Sequence, residues 1–347
     1  MAAVLALVAC GGAPSSTPTP AADVGSGQLL GAGATFPEPF YTRAFFAYNQ
    51  KYSQVSVNYQ PIGSGGGIQQ FTKSTVDFGA SDVPMNSTEI QAAGGEDSLV
   101  QLPATIGVAA IAYNLPNVSK LQLDGATLAN IFLGTIKKWN DPAIAAFNSG
   151  AKLPSTDIAV VHRSDGSGTT YAFTDYLSKV SPDWQTKVGK AKSVQWPTGV
   201  GATGNQGVGQ QVKTTDGSIG YVELAYVIQS KLQQAFLKNK AGKFVQASLE
   251  GATAASASLT GLSPTNFSIT DAPGDKTYPI STYSWVMLRK EQSDATKGKA
   301  VVRLWQWVVT DGQQYGKDLE YASLPKEAQD FSLSQLKRIT SGGKPIL

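Results

Sequence analysis

Apolar positions along the chain follow two alternating patterns, one typical of strands and the other of helices. Residues 55–59 alternate apolar and polar side chains, which indicates a half-buried strand. Residues 40–48 instead place aromatic and small apolar side chains at helical spacing. The same patterns predict a helix near 126–133 stopped by Gly134, a glycine-rich loop at 199–209, a strand at 219–222 and a helix near 300–309. Alternating strands and helices predict α/β sheets covered by helices on both faces.

Two apolar segments are long enough to cross from one part of the fold to another. They are residues 103–114 and, much later in the chain, residues 278–288. Two extended crossings predict a protein of two lobes. We place lobe one at residues 28–106 plus 281–347 and lobe two at residues 107–280.

Composition predicts a globular protein and argues against several classes of function. Hydrophobic residues make up 41% of the 347 residues, and 28 basic residues nearly balance 25 acidic ones. The charges are scattered, without the basic run or aromatic motif typical of nucleic-acid binding. A single histidine, a single cysteine and no clustered metal-ligand spacing argue against a zinc or thiol site. We therefore predict no nucleic-acid partner, no cofactor and no metal.

The chain starts with a short apolar run that ends in Leu7-Val8-Ala9-Cys10 and continues into a Gly/Ser/Thr/Pro-rich tract. This start resembles the lipobox of bacterial lipoproteins. The resemblance implies cleavage before Cys10, a diacylglyceryl group on its sulfur, and export to the outer face of the cytoplasmic membrane or to the periplasm. Residues 1–10 are thus predicted as the remnant of a lipoprotein signal peptide, and residues 11–27 as a flexible tether.

Nine apolar residues cannot span a bilayer, so a lipid would be the only membrane anchor. No Lys or Arg precedes Cys10, although a signal peptide begins with a positively charged region. We therefore expect the true start to lie upstream of Met1. The alternative is a chance apolar start followed by an ordinary cysteine.

The most informative stretch is residues 159–177, AVVHRSDGSGTTYAFTDYL. An apolar strand pattern runs into a loop of small residues, and a helical pattern follows at once. The first turn of a helix presents unpaired N–H groups and a partial positive charge, which favours an anion. Arg163 adds a planar fork of donors suited to an oxyanion. The stretch therefore predicts an anion site.

Two more helix starts carry similar features. Thr35 precedes Glu38 by three positions, which predicts a capping box, and the N–H groups of Thr35 and Phe36 are expected to face outward. Ser64 is predicted to cap a helix that begins after a glycine run. Asp82 follows a strand, at the kind of position where ligands collect in α/β sheets. Taken alone, Asp82 is more typical of a turn or cap.

The glycines do not indicate a nucleotide site. The Gly31-x-Gly33 and Gly63-x-Gly65 pairs both lack the third glycine of a dinucleotide-binding fingerprint. No Gly-Lys pair is followed by Ser or Thr, so the phosphate-binding loop of nucleotide hydrolases is absent as well.

Several separated motifs together resemble one family. The segments GAGATFPEPFY, IGSGGG, VDFGASDVP, AVVHRSDGSGTTYAFTDYL, IGYVE and YASLP occur in the order and spacing of the PstS-type phosphate-binding proteins of ABC importers. The similarity extends from Leu29 to the C-terminus. It implies an α/β, two-lobed periplasmic-binding-protein fold (type II), in which each lobe is a mixed sheet flanked by helices and two strands cross between the lobes.

The resemblance also implies a function and a set of site residues. The protein would bind inorganic phosphate between its lobes and deliver it, as a monomer, to an ABC permease and ATPase complex. Asp165 would orient Arg163, and Asp82 would distinguish phosphate from sulfate by accepting a proton-bearing oxygen. His162, where a second arginine is familiar, and Tyr171 depart from the family pattern beside the site. The phosphate ligands would be Thr35, Phe36, Ser64, Asp82, Arg163, Ser167, Gly168 and Thr169.

We predict a binding protein and not an enzyme, with two alternatives left open. A phosphatase would need Ser167 as nucleophile, but its flanking residues do not form the G-x-S-x-G elbow. His162 would have to be the base, and a lone strand-end histidine is more often a solvated side chain. The second alternative is an adhesin or signalling protein that uses the same fold for another oxyanion.

Overall fold

The computed structural model describes residues 23–347. The predicted lipidation site Cys10 and residues 11–22 of the predicted tether lie outside the described residues. The chain is packed from the start of the described range, because Val24 is buried and Asp23 pairs with Lys299 (Oδ2–Nζ 2.5 Å). Between residues 23 and 347, no helix is both long enough and apolar enough to cross a membrane.

Strands and helices alternate through most of the chain. The strands are β1 (Gly27–Gly33), β2 (Val55–Gln60), β3 (Phe78–Ser81), β4 (Leu99–Tyr113), β5 (Gln122–Leu123), β6 (Ala159–Arg163), β7 (Val200–Ala202), β8 (Ser218–Glu223), β9 (Gln233–Gln234), β10 (Phe236–Lys238), β11 (Phe244–Val245), β12 (Ser281–Arg289), β13 (Thr340–Ser341) and β14 (Lys344–Pro345). The helices are α1 (Glu38–Lys51), α2 (Ser64–Thr72), α3 (Ser87–Ala92), α4 (Gly125–Phe132), α5 (Pro142–Ala145), α6 (Gly168–Val180), α7 (Pro182–Lys187), α8 (Gly204–Thr214), α9 (Leu224–Ser230), α10 (Leu249–Ser256), α11 (Ala295–Val309) and α12 (Lys326–Leu336).

One long strand joins two parts of the main sheet, whose strand order is β2-β1-β3-β12-β4-β8-β6-β7. Residues 99–108 of β4 pair with β12, and residues 109–113 pair with β8. We call β2, β1, β3, β12 and residues 99–108 the first sheet half. Residues 109–113, β8, β6 and β7 are the second sheet half. Every residue of β4 is buried, which explains why only Gln101 and Thr105 interrupt its apolar run.

The pairing of β4 with β12 is interrupted at one point. The register shifts between Ser284 and Trp285, whose partners are Thr105 and Pro103, so that Ala104 is the extra residue. Pro103 has no N–H to give to a ladder, and a bulge is where a central strand tolerates proline.

Helix starts and strand ends collect at one side of the sheet. β1, β2 and β3 are parallel in the first sheet half, as are β8, β6 and β7 in the second. Their carboxyl ends therefore lie along common edges, where the loops after them form a cleft. Both sheet halves contribute loops to this cleft.

Most predicted elements are confirmed, with one clear error. α4 ends at Phe132 with Leu133 as its C-cap, and Gly134 follows in the left-handed region (φ 72°), as predicted. Residues 199–209 were predicted as a glycine-rich loop, and that prediction is wrong. They form β7 and the first turns of α8, because Val200 to Ala202 add an edge strand to β6. The boundaries of the two lobes stay a prediction.

Candidate functional site

The predicted site residues lie together in the cleft. Thr35 and Phe36 follow β1, Asp82 follows β3, and the loop 164–167 joins β6 to α6. Their side chains are almost wholly enclosed, with Thr35 at 7% exposure and Asp82 at 1%. Ser64, Arg163, Ser167 and Thr169 are buried as well. The two sheet halves touch directly here, since the Gly65 N–H donates to the Gly166 carbonyl at 2.8 Å.

Ser64 does not cap α2 as predicted. It is the first helical residue, and the N-cap position is Gly63, whose φ of 85° suits glycine. The Ser64 hydroxyl instead accepts from the N–H groups of Gly168 (3.0 Å) and Asp82 (3.3 Å). It thus links the start of α6 in the second sheet half to the end of β3 in the first.

The capping box predicted at Thr35 is also wrong. The N-cap of α1 is Pro37, and no side chain caps that helix. The Thr35 hydroxyl accepts from the Asn205 backbone N–H (3.2 Å) and side-chain amide (3.0 Å). The Tyr226 hydroxyl, which donates to the Thr35 carbonyl at 2.7 Å, also lies 2.9 Å from Glu38 Oε2. Partners far along the chain have replaced the local cap.

Asn205 organises the cleft and was missed by the sequence analysis. Its side-chain amide donates to the hydroxyls of Thr35 (3.0 Å) and Thr169 (3.2 Å). Its Oδ1 accepts from the Glu223 N–H at 3.0 Å, which fixes the orientation of the amide. The residue lies in the segment predicted as a glycine-rich loop, so its position at the start of α8 gave no signal.

Four hydroxyl groups in the cleft already accept hydrogen bonds from N–H donors. The hydroxyls of Thr35 and Ser64 each accept more than one hydrogen bond. The Ser167 hydroxyl accepts from the Thr170 N–H at 3.0 Å. The Thr169 hydroxyl accepts from the Asn205 side-chain amide and, at 3.5 Å, from Arg163 Nη1. Within residues 23–347, the hydroxyls of Thr35, Ser167 and Thr169 donate to no protein acceptor, and the Ser64 hydroxyl lies near the Asp82 carboxylate. A hydroxyl whose lone pairs are engaged keeps its proton to donate. The cleft is therefore lined by hydroxyl donors.

Backbone N–H groups add to this donor set. In the described part of the chain, the N–H groups of Thr35, Phe36 and Thr169 donate to no protein acceptor. The first two precede α1, and the third lies in the first turn of α6. Helix starts of this kind favour anions because unpaired N–H groups and the helix dipole act together.

Arg163 is held by Asp165 through two parallel hydrogen bonds, Nε–Oδ1 (2.7 Å) and Nη2–Oδ2 (2.5 Å). The Gly204 N–H also donates to Asp165 Oδ1 at 3.0 Å. Burial would raise the pKa of Asp165, but Arg163 outweighs that effect and the pKa is lowered. The guanidinium is therefore fixed in position and partly neutralised, and Nη1 remains directed toward Thr169.

Asp82 is the one carboxylate among these donors. Its Oδ1 accepts from the Ser284 hydroxyl at 2.9 Å, and the Ser64 hydroxyl also lies near the carboxylate. Burial raises the pKa of Asp82 to about 7, although hydrogen bonds from Ser284 and Ser64 and the charge of Arg163 oppose the shift. Gly168 lies so close that a Cβ at that position would be 2.5 Å from the Asp82 Cβ. Ser284 was not predicted as part of the site.

The two departures from the family pattern lie outside the hydroxyl-lined cleft. His162 is half-buried and stacks on Trp196, with ring centroids 4.6 Å apart, so its prediction as a solvated side chain is wrong. Burial lowers the pKa of His162. Its Nδ1 lies 3.1 Å from the Arg163 carbonyl, and it makes no hydrogen bond with Ser167. Tyr171 lines a neighbouring groove of about 560 Å³ with Phe267.

Comparison with known proteins identifies the family. The family described as PBP superfamily domain matches residues 18–310. Phosphate-binding protein PstS of Xylella fastidiosa (strain 9a5c) is 44% identical over 331 residues, covering 93% of this chain and 90% of the relative. Phosphate-binding protein PstS of Pasteurella multocida (strain Pm70) is 47% identical over 303 residues, covering 86% and 87%.

Solved structures share the fold. The phosphate-binding protein from Stenotrophomonas maltophilia superimposes with a TM-score of 0.69 at 22% identity, covering 89% of this chain and 94% of that protein. The predicted type II periplasmic-binding-protein fold is thereby confirmed. With relatives this similar over most of its length, the chain belongs to the PBP superfamily and, within it, to the PstS family of phosphate-binding proteins.

Proposed function

We propose that this protein binds inorganic phosphate in the cleft and delivers it, unreacted, to an ABC-type phosphate import permease and its ATPase. The observation that carries the proposal is the arrangement of hydroxyl donors around a single acceptor carboxylate, Asp82. Such a cleft suits a tetrahedral oxyanion that still carries a proton. The names of the PstS relatives support the same ligand.

Eight residues are proposed to contact the phosphate. Thr35, Ser64, Ser167 and Thr169 supply hydroxyls whose lone pairs are engaged. The helix starts supply backbone contacts at Phe36, Gly168 and Thr169. Arg163 supplies Nη1, because Asp165 already engages its Nε and Nη2. The Gly168 N–H already donates to Ser64. Gly168 would therefore contribute by letting the phosphate come close to the backbone, since it has no side chain. Asp82 would accept a phosphate hydroxyl at Oδ2.

The expected affinity follows from the number of donors. Each hydrogen bond to a charged group contributes ~1.5–3 kcal/mol, whereas one helix start contributes only ~0.3–1 kcal/mol through its dipole. A dissociation constant of 1 μM corresponds to about 8.2 kcal/mol. Several hydrogen bonds, less the costs of desolvation and lobe closure, are sufficient for micromolar or tighter binding.

Asp82 would provide the selectivity. Phosphate near neutral pH carries at least one proton, whereas sulfate carries none. A buried carboxylate that faces an unprotonated oxyanion has no hydrogen bond to compensate its desolvation, which disfavours sulfate. An enzymatic role is not proposed, because Ser167 and His162 make no hydrogen bond that could activate a nucleophile.

Export, anchoring and assembly complete the proposal. We expect the protein to act outside the cytoplasm, attached to the membrane through a lipid on Cys10. We also expect a monomer, since lobes that close on a ligand must move freely. Metabolic labelling with a fatty acid, lost in Cys10→Ala, would test the anchor.

The central test is calorimetric titration of protein that has been unfolded, dialysed and refolded to remove bound phosphate. Saturable one-to-one binding of phosphate, with sulfate inert, is expected. Arg163→Ala should weaken phosphate binding at least about tenfold, because a charged donor is lost. Arg338→Ala, which removes an exposed arginine after α12, serves as the control and should bind like wild type. If the refolded wild-type protein binds no phosphate, the proposal is wrong.

A further inference from the structure

Three tyrosine hydroxyls donate to three consecutive backbone carbonyls at the start of α1. Tyr59 donates to the Ala34 carbonyl (2.7 Å), Tyr226 to the Thr35 carbonyl (2.7 Å) and Tyr321 to the Phe36 carbonyl (2.6 Å). The tyrosines come from β2, from α9 and from the segment before α12. Three separate elements therefore converge on one short loop.

The peptide geometry gives these contacts a meaning for the site. In a trans peptide unit, the carbonyl of one residue and the N–H of the next point in opposite directions. The Ala34 carbonyl shares its unit with the Thr35 N–H, and the Thr35 carbonyl shares its unit with the Phe36 N–H. Because the tyrosines hold these carbonyls, the N–H groups of Thr35 and Phe36 point away from the tyrosines and toward the proposed ligand. In the described residues, neither N–H group has a protein acceptor.

A hydrogen bond to the carbonyl also strengthens the N–H as a donor, because each bond polarises the peptide unit. From this we infer that Tyr59 and Tyr226 are positioning residues, which aim and polarise the Thr35 and Phe36 N–H groups toward the bound oxyanion. This inference rests on the proposed phosphate-binding function. Neither tyrosine contacts the ligand in this scheme.

The third tyrosine provides an internal control. The Phe36 carbonyl that accepts from Tyr321 shares its peptide unit with Pro37, which has no N–H. Tyr321 satisfies a buried carbonyl as the other two tyrosines do, and its hydroxyl also lies near the Glu223 carboxylate, but its peptide unit has no N–H to polarise. If the hydroxyls merely satisfy carbonyls, the three tyrosines should behave alike.

Tyr59 and Tyr226 differ in a second respect. The Tyr226 hydroxyl also lies 2.9 Å from Glu38 Oε2 and has only one proton for the two acceptors. The Tyr226 hydroxyl also connects α9, which follows β8 of the second sheet half, to the segment after β1 of the first sheet half. Its loss therefore affects closure of the cleft. Tyr59 lies in β2 and Ala34 directly follows β1, so their contact stays on the side of the first sheet half. Tyr59→Phe therefore tests the orientation of the N–H group without a contact across the cleft.

The test is phosphate titration of Tyr59→Phe, Tyr226→Phe and Tyr321→Phe, all purified from bound phosphate in the same way. Tyr59→Phe and Tyr226→Phe should raise the dissociation constant about two- to fivefold. Tyr321→Phe should bind like wild type even if its unfolding temperature falls. Wild-type affinity in Tyr59→Phe, or an equal loss in Tyr321→Phe, would overturn the inference. A wild-type protein without phosphate binding would instead refute the proposed function.

A spectroscopic measurement reports the polarisation directly. The dipeptide Thr-Phe occurs once in the sequence, at residues 35–36. Protein labelled with ¹³C at threonine carbonyls and with ¹⁵N at phenylalanine therefore has a single ¹³C–¹⁵N peptide bond, which isolates the Phe36 amide signal in NMR spectra. In phosphate-saturated protein, Tyr226→Phe should shift this signal markedly, and Tyr321→Phe should not. Equal shifts in the two variants would overturn the assignment for Tyr226.

Discussion

The side-chain amide of Asn205 donates to the hydroxyl of Thr35 at 3.0 Å, across 170 residues of sequence and across the cleft. The same amide donates to Thr169, and its orientation is fixed by the Glu223 N–H. Asn205 thus engages lone pairs of two hydroxyls and leaves the protons of those hydroxyls free to donate into the cleft.

Asn205→Asp should therefore reverse the polarity of this network. A carboxylate accepts, so the Thr35 and Thr169 hydroxyls would donate to it and not to phosphate, and a negative charge would lie beside the anion. We expect phosphate affinity to fall about 100-fold or more, measured by calorimetry. Asn117→Asp, which adds the same charge at an exposed position away from the cleft, should bind like wild type. Equal affinities in the two variants would contradict this network.

Asp82→Asn should remove most of the discrimination between phosphate and sulfate. The asparagine amide can donate to sulfate, whereas the carboxylate cannot. The ratio of phosphate to sulfate affinity is expected to fall about 100-fold or more. An unchanged ratio in parallel titrations would mean that Asp82 does not select the ligand.

Sulfate binding by the wild-type protein should depend on pH. Burial raises the pKa of Asp82 to about 7, so the carboxyl gains a proton as the pH falls below that value and can then donate to sulfate. Sulfate affinity should rise from about pH 8 to about pH 6, a range in which sulfate itself does not titrate. In Asp82→Asn this rise should be absent. A flat wild-type profile would be inconsistent with the raised pKa.

Gly168→Ala should oppose closure of the cleft without unfolding the protein. The added Cβ would lie 2.5 Å from the Asp82 Cβ and 2.7 Å from the Asp82 backbone nitrogen, which forces the start of α6 away from the end of β3. Alanine is a good helix residue, so α6 itself should be retained. Phosphate affinity should fall about tenfold or more.

Gly150→Ala is the matched control for that variant, because no heavy atom lies within 4 Å of its added Cβ. Calorimetry gives the affinity, and X-ray scattering with saturating phosphate compares the size of the closed proteins. If Gly168→Ala binds phosphate like Gly150→Ala, the close approach of Gly168 to Asp82 is not needed for binding.

Asp175 should stabilise the fold at neutral pH but not in acid. Burial would raise its pKa, but Lys179, Lys190, Ser268 and Thr270 outweigh that effect and lower the pKa to about 2. A lowered pKa gives stability that is complete above the unfolded pKa of 3.8 and is lost as the pH falls toward 2. Asp175→Asn should therefore cost about 2 kcal/mol at pH 7.

Urea unfolding at several pH values checks this prediction. The difference from wild type should shrink as the pH decreases from about 4 to about 2. Asp183→Asn removes the carboxylate of an exposed Lys187–Asp183 pair and should change stability by less than about 1 kcal/mol. A difference for Asp175→Asn that persists in acid would argue against the ionised carboxylate as the cause.

Local sequence signals predicted the parts of the site that local chemistry builds. The strand, loop and helix of residues 159–177 and the position of Asp82 after β3 all depend on residues close together in the chain. The long apolar run of β4 was predicted for the same reason, since a strand buried on both faces favours apolar residues at most positions. The motifs of the resemblance added the ligand and the family.

The hydrogen-bond partners within the cleft could not be predicted in this way. Thr35 and Glu38 have the spacing of a capping box, yet Asn205 and Tyr226 take their place because the fold brings them within reach. Ser284, the partner of Asp82, is 202 residues away.

By itself, the sequence determined most strands and helices and the residue types that favour an oxyanion, because propensity and periodicity act over a few residues. Tertiary structure alone decided which lone pairs and protons those residues keep for a ligand. A hydroxyl becomes a donor only when other groups occupy its lone pairs, and packing across the cleft supplies those groups.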